Sequence, residues 1–143
     1  MPRIDWVWYH TQDVGTAAGD YTYFDTDQAT SGITVTNMKM AGQLPAAEKF
    51  TIKEINVLID PAAASADVAI LKQDCVLELV IGETTIITAP LYNFIREHAN
   101  LRLTLENPIS LAGGVGFKVV LHLGTAVSAA TSVTVQLVGV REY

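Results

Sequence analysis

The side chains with the most chemical reach are few and scattered. His10, His98 and His122 stand far apart in the chain. A structural zinc site needs ligands at short, regular spacing, usually with cysteine, and none of the three has such a neighbour. The single cysteine, Cys75, alternates with Leu77, Leu79 and Ile81. A strand there buries the thiol among aliphatics, where a thiol is inert, and a lone cysteine excludes an internal disulfide. Arg96-Glu97-His98 has the residue types for acid–base work, yet it lies between Phe94 and Leu101 and reads as a charged turn. Asp20, Asp25 and Asp27 gather oxygens of the kind calcium takes. An EF-hand loop also needs a central glycine and a closing glutamate, and here Tyr21, Tyr23 and Phe24 intervene. Gly113-Gly114-Val115-Gly116 is not followed by Lys-Ser/Thr and reads as a turn, not a phosphate cradle. No Gly-x-Ser-x-Gly elbow is present. The sequence therefore names no catalytic residue, no metal ligand and no cofactor, and an enzyme is not expected.

Composition narrows the field further. The chain has 143 residues, half of them hydrophobic and only 17% charged, against about 25% charged in an average soluble domain. So dry a surface is expected to be covered by partners. The formal net charge is −6. Five aspartates against Arg3 make the first thirty residues the more acidic part. Scattered bases on an acidic chain argue against nucleic-acid binding, which needs clustered positive charge, and against a polybasic membrane anchor. The N-terminus lacks the apolar h-region of a signal peptide, and no run reaches the ~20 apolar residues of a membrane-spanning helix. One cysteine is compatible with assembly in a reducing cytosol.

The elements that would position these residues are mostly strands. Period-two alternation marks half-buried strands. Ile33, Val35, Met38 and Met40 predict a first strand with one phase slip. Phe50, Ile52, Ile55, Val57 and Ile59 predict a longer one, with a β-bulge at Lys53-Glu54 restoring the inward phase. Val76–Thr88 reads as a hairpin turning at Gly82-Glu83. Leu101, Leu103 and Leu105 form a strand that Asn107-Pro108 is expected to end. Phe117, Val119, Leu121 and Leu123 face inward with Lys118 and His122 outward, and Val133, Val135 and Leu137 form a last inward row. Asp60-Pro61 offers a helix N-cap followed by proline, ahead of an alanine-rich run that is either a short helix or a crossing loop. Pro90–His98 has room for one more turn. Seven or eight strands between Gly, Pro and Ser/Thr turns indicate a sandwich or barrel.

Six of the eleven aromatics, Trp6, Trp8, Tyr9, Tyr21, Tyr23 and Phe24, precede residue 25. Aromatic rings are the largest apolar payload a chain carries, so this end is expected to be buried against something. Two readings stand side by side: a strand packed on its own domain, or an arm reaching a neighbouring subunit. The expected boundary falls near residue 30, with an N-terminal arm or strand over 1–30 and a domain over 31–143.

The run Gln43-Leu44-Pro45-Ala46-Ala47-Glu48-Lys49-Phe50-Thr51-Ile52-Lys53-Glu54-Ile55-Asn56-Val57 resembles a segment of small jelly-roll virion proteins of tailed bacteriophages. In those proteins a Leu-Pro-Ala turn leads into a long core strand. Leu77–Glu83, Ala89–Phe94 and Val133–Val140 with Gly139 and Arg141 are similar to the same group, so the likeness spans residues 33–141. The resemblance implies an all-β fold, a single jelly-roll sandwich of two antiparallel sheets; the extended N-terminal arm expected with it rests on the aromatic and acidic character of residues 1–30 alone. It also implies a capsid decoration (cement) protein, often a homotrimer, on the virion's capsid surface. The partners expected are the major capsid protein and further copies of the chain, with no nucleic acid and no membrane, and with assembly in the host cytoplasm.

The six N-terminal aromatics lie outside the likeness and are expected to bind the partner as interface anchors. A subunit contact would also account for the outward apolar positions Val76, Val80, Val120, Val138 and Val140. The alternative is a carbohydrate- or receptor-binding jelly roll of a phage tail, with Tyr92 and Phe94 available to stack on sugars. An enzyme of the cupin type ranks third, since the inward rows are Leu, Val, Ile and Phe rather than histidines and carboxylates.

Overall fold

The computed structural model describes residues 2–97 and 99–143. Its elements run β1 (Arg3–Val14), β2 (Gly19–Tyr23), α1 (Gln28–Ser31), β3 (Lys49–Ile59), α2 (Ser65–Gln73), β4 (Cys75–Ile81), β5 (Thr84–Pro90), a 3₁₀ turn at Leu91–Asn93, β6 (Ile95–Glu97), β7 (Asn100–Ala112), β8 (Phe117–Leu123) and β9 (Thr131–Glu142). Two antiparallel sheets form, one in the order β1-β9-β3-β7-β6 and the other β2-β8-β4-β5. With the three-residue β6 set aside, four strands face four, and the chain changes sheet at nearly every connection. This winding is the double Greek key of a jelly roll. The sandwich expected from the strand pattern, and the jelly roll that the resemblance implied, are what is observed.

Alternation does the positioning. Phe50, Ile52, Ile55, Val57 and Ile59 of β3, Leu77 and Leu79 of β4, Val119 and Leu121 of β8, and Val133, Val135 and Leu137 of β9 are all buried between the sheets. The expected bulge is present. Ile52 pairs Gly139 and Glu54 pairs Val138, which leaves Lys53 as the extra residue of β3. On the other side Ile52 pairs Ile109 and Glu54 pairs Thr104. Leu105, Glu106, Asn107 and Pro108 therefore loop out of register inside β7. That corrects the expectation that Asn107-Pro108 ends the strand: proline is tolerated in a bulge, where no ladder donor is required.

Three further expectations are corrected. Residues 33–40 do not form a strand. Gly32, at φ 91°, accepts at its carbonyl from the backbone N–H groups of Val35 and Thr36, so local turns take the donors that a ladder needs. Asp60 does not cap a helix. Its carboxylate accepts from the Ala62 N–H at 2.9 Å in a short turn, and α2 starts only at Ser65. The boundary near residue 30 does not hold: of the two readings of the first thirty residues, arm or strand packed on its own domain, the strand is the one observed. β1 pairs with β9 from Arg3↔Glu142 to Val14↔Thr131, and β2 pairs with β8. The N-terminus is one edge strand of each sheet, so a boundary near residue 30 would cut through both.

Candidate interaction surface

The six N-terminal aromatics do not act as one surface. Trp8, Tyr23 and Phe24 are fully buried in the core, which corrects their assignment as partner-binding side chains. The cause is parity: Trp8 and His10 point inward on β1, and Tyr23 closes β2 with its hydroxyl donating to the Val133 carbonyl at 3.0 Å. Tyr21 accepts from the Gly15 N–H at 3.1 Å and donates to the Ala17 carbonyl at 2.6 Å, which tightens the loop between β1 and β2. Tyr9 donates its hydroxyl to the Ile33 carbonyl. Trp6 remains at the rim, its ring centroid 5.6 Å from that of Trp8 in an edge contact.

The rim is built around Arg141. Its guanidinium lies 4.7 Å from the centroid of Trp6, 5.1 Å from that of Trp8 and 4.9 Å from that of Tyr143. A stacked guanidinium holds an aromatic face through cation–π attraction. The same group donates to both carboxylate oxygens of Glu48, a residue of the turn that leads into β3.

Beside this rim the outer edge of β1 is covered by a strap, residues 24–42. Thr11 N–H donates to the Val35 carbonyl at 2.8 Å. Asn37 serves as a substitute strand: its Oδ1 accepts from the Tyr9 N–H at 3.0 Å and its Nδ2 donates to the Val7 carbonyl at 2.8 Å. Thr36 donates its hydroxyl to the Tyr9 carbonyl. Open sheet edges are templates for unwanted pairing, and natural proteins cover them; here Val35, Thr36 and Asn37 do so between Val7 and Thr11.

Two clefts flank the covered edge, and both include Trp6 and Asn37. One, of about 560 Å³, lies over the bulge and is lined also by Asp5, Lys53, Glu54 and Val138. The other, of about 400 Å³, is lined also by Tyr9, Gln28, Ile33, Lys39 and Arg141. Ile33 is 59% exposed. The two clefts together set the apolar Trp6, Ile33 and Val138 beside the charged Asp5, Lys39, Lys53, Glu54 and Arg141.

The other sequence candidates are structural. Cys75 is buried, and burial pushes its thiol up to about 12. His10 is buried too. Its Nδ1 accepts from the Phe24 N–H at 2.6 Å, and burial holds the imidazole below its ordinary range, with Asp25 opposing. His122 faces outward between strands, with Nδ1 2.7 Å from Asp20 and Nε2 3.4 Å from Glu78. The hydrogen bond to Asp20 first, and that to Glu78, raise its pKa.

No group of three or more His, Cys, Asp or Glu residues among the described ones is arranged to hold a metal. Arg96 and Glu97 lie on β6, and His98 is outside the described residues. Of the two aromatics expected to stack on sugars, Phe94 is buried in the core while Tyr92 is 56% exposed. Val80 and Val120 are nearly buried by their neighbours, so they do not form an open apolar face.

No protein-family model matches the chain, and no curated protein matches it. Among solved structures, the chain is similar to one from the acid-stable capsid structure of Helicobacter pylori bacteriophage KHP30, at 8% identity over 99% of this chain and 98% of that one, with a TM-score of 0.44. It is also similar to the Drosophila NLP core, a structure described in terms of pentamer formation and histone binding, at 11% identity over 95% of this chain and 99% of that one, with a TM-score of 0.35. The jelly-roll class stands on the strand order itself, and neither likeness adds a function to it.

Proposed function

We propose that this chain is a structural virion protein that decorates a phage capsid. In this reading it binds the outer shell after assembly in the host cytoplasm, bridges subunits of the major capsid protein, associates as a homotrimer and catalyses no reaction. The observation that carries the reading is how the chain spends its polar chemistry. The interior is filled by aliphatic and aromatic side chains, and the imidazoles of His10 and His122 and the Cys75 thiol are engaged or buried within the fold. What the described residues offer a partner is surface, and one built feature of it is the Trp6–Ile33 rim. The resemblance of residues 33–141 to small phage virion proteins supplies the kind of partner, and its leading string falls on the turn at Pro45 and on β3.

Co-sedimentation with shells of the cognate phage that lack this protein tests the reading, together with light scattering for the oligomer. The protein is expected to bind saturably. Ile33→Glu is expected to weaken binding while thermal unfolding changes by no more than about 0.5 kcal/mol, as for exposed positions. A chain that stays monomeric and is not retained by shells overturns the reading. A glycan array with binding abolished by Tyr92→Ala would favour the carbohydrate-binding module instead.

A further inference from the structure

We propose that His10 is an acid-sensitive latch that holds the strap, residues 24–42, over the edge of β1. The geometry fixes its protonation state. The Nδ1 atom accepts a hydrogen from the Phe24 N–H at 2.6 Å, and a nitrogen that accepts carries no proton. The ring is therefore neutral, with its proton on Nε2. An imidazolium would set two N–H donors against each other at that distance, and the bond would be lost.

The latched residue is under strain that the bond helps to hold. Phe24 has φ 68°, the one described non-glycine residue with positive φ; an aromatic side chain rarely adopts that conformation. Both ends of the strap depend on it. The Phe24 carbonyl accepts from Gly42 N–H at 2.7 Å, and the Gly42 carbonyl accepts from Phe117 N–H at 2.8 Å. Between them Gln28 N–H donates to Met38 O, and Thr36 bridges back to His10 itself. The residue that grips the strap's start thus also pairs with its return.

The groups facing His10 are few. The Asp25 carboxylate lies 3.9 Å from Nδ1 and would attract the ring once charged. The Tyr23 ring packs edge-on at 5.3 Å and the Phe24 ring at 6.1 Å. The Tyr23 hydroxyl is committed to Val133, and Val135, opposite on β9, carries no charge. Protonation therefore breaks the bond that grips Phe24 and puts a charge in a buried slot, an effect that the Asp25 carboxylate opposes only in part. The consequence is a freed edge from Val7 to Thr11, available for strand addition.

Amide exchange of the full chain, corrected for intrinsic rates, tests the latch between about pH 7.5 and about pH 5, the range in which histidine titrates. Protection of residues 24–42 and of the Tyr9 and Thr11 amides is expected to fall about tenfold per pH unit through the His10 titration, while β3 and β8 keep theirs. Long-range ¹H–¹⁵N spectra are expected to show the Nε2–H tautomer at the upper pH. Asp25→Asn changes an exposed side chain and removes the charge that steadies an imidazolium inside the latched structure, so acid opening of the strap is expected to be more complete in the variant. An Nδ1–H tautomer, or strap protection that persists through the His10 titration, overturns the proposal. Protection that is lost in β3 and β8 at the same pH also overturns it, in favour of global unfolding.

Discussion

Arg141 and Glu48 join the last strand to the turn before β3 through two hydrogen bonds, at 2.6 and 3.3 Å. Both side chains are largely withdrawn from water, at 13% and 12% exposure. The pair is the polar floor of the aromatic rim, because the guanidinium that grips Glu48 is also the one beneath Trp6.

Removing one partner strands the other. Arg141→Met is expected to destabilise the fold by about 3–5 kcal/mol, the usual cost of leaving a buried charge unpaired. The double variant with Glu48→Leu is expected to recover much of that loss. Urea unfolding of both singles and the double gives the coupling, and additive losses would show that the pair is not coupled. Arg141→Lys is not expected to be neutral, since an ammonium neither forks onto a carboxylate nor stacks on three rings.

Gly139→Ala probes the bulge. A Cβ there would sit 1.8 Å from the Thr51 carbonyl oxygen, a backbone atom that no rotamer change relieves. The strand pair must separate or the bulge must shift, at a cost of at least about 2 kcal/mol. Gly82, which sits in a tight turn with open space around it, tests instead the cost of its φ of 63°, expected at about 1 kcal/mol for Gly82→Ala. Thermal melts of both variants check the order.

His122 predicts the alkaline limb of the stability profile. Its two ring nitrogens face two carboxylates, an arrangement that only the imidazolium satisfies with a donor on each side. Its pKa is raised above the ordinary 6.5, so the folded state holds that proton more tightly than the unfolded chain. The contribution is full below about 6.5 and is lost as pH rises through the raised value. Chemical denaturation across this range is expected to show stability falling with pH, and His122→Gln is expected to flatten that slope. An unchanged slope in the variant would assign the effect elsewhere.

Cys75 predicts silence. With its thiol buried and pushed up to about 12, the native protein is expected to react with a maleimide only as fast as it opens, and at full rate in denaturant. Rapid labelling of the folded chain would contradict the burial.

The core was legible because it obeys one rule. From Phe50 to Ile59 and from Val133 to Leu137, residues of one parity are apolar and buried, and the single phase slip at Lys53 reads directly as a bulge. The N-terminus was legible in part. Its aromatics announce burial, but aromatic content alone does not say whether a chain buries rings against itself or against another. Parity was the signal to extend: continuing the inward row of β9 through Gly139 brings Arg141 onto the face of Trp6 and Trp8. The strap was not legible. Ile33, Val35, Met38 and Met40 mimic a strand, and their fate is decided by long-range bonds from Asn37 and Thr36 to β1, which no local pattern encodes.

The pairing of β1 with β9, residue 3 against 142 and 14 against 131, has a consequence in time. β1 is made well before its partner β9, so this edge of the sheet cannot pair on the ribosome until β9 has emerged. Non-local pairing of this kind carries a large loop-closure entropy and folds slowly. During that wait Trp6, Trp8 and Tyr9 are exposed on an unpaired strand. Yield in the cell should then depend on how quickly synthesis reaches β9, and on what shields those rings until it does.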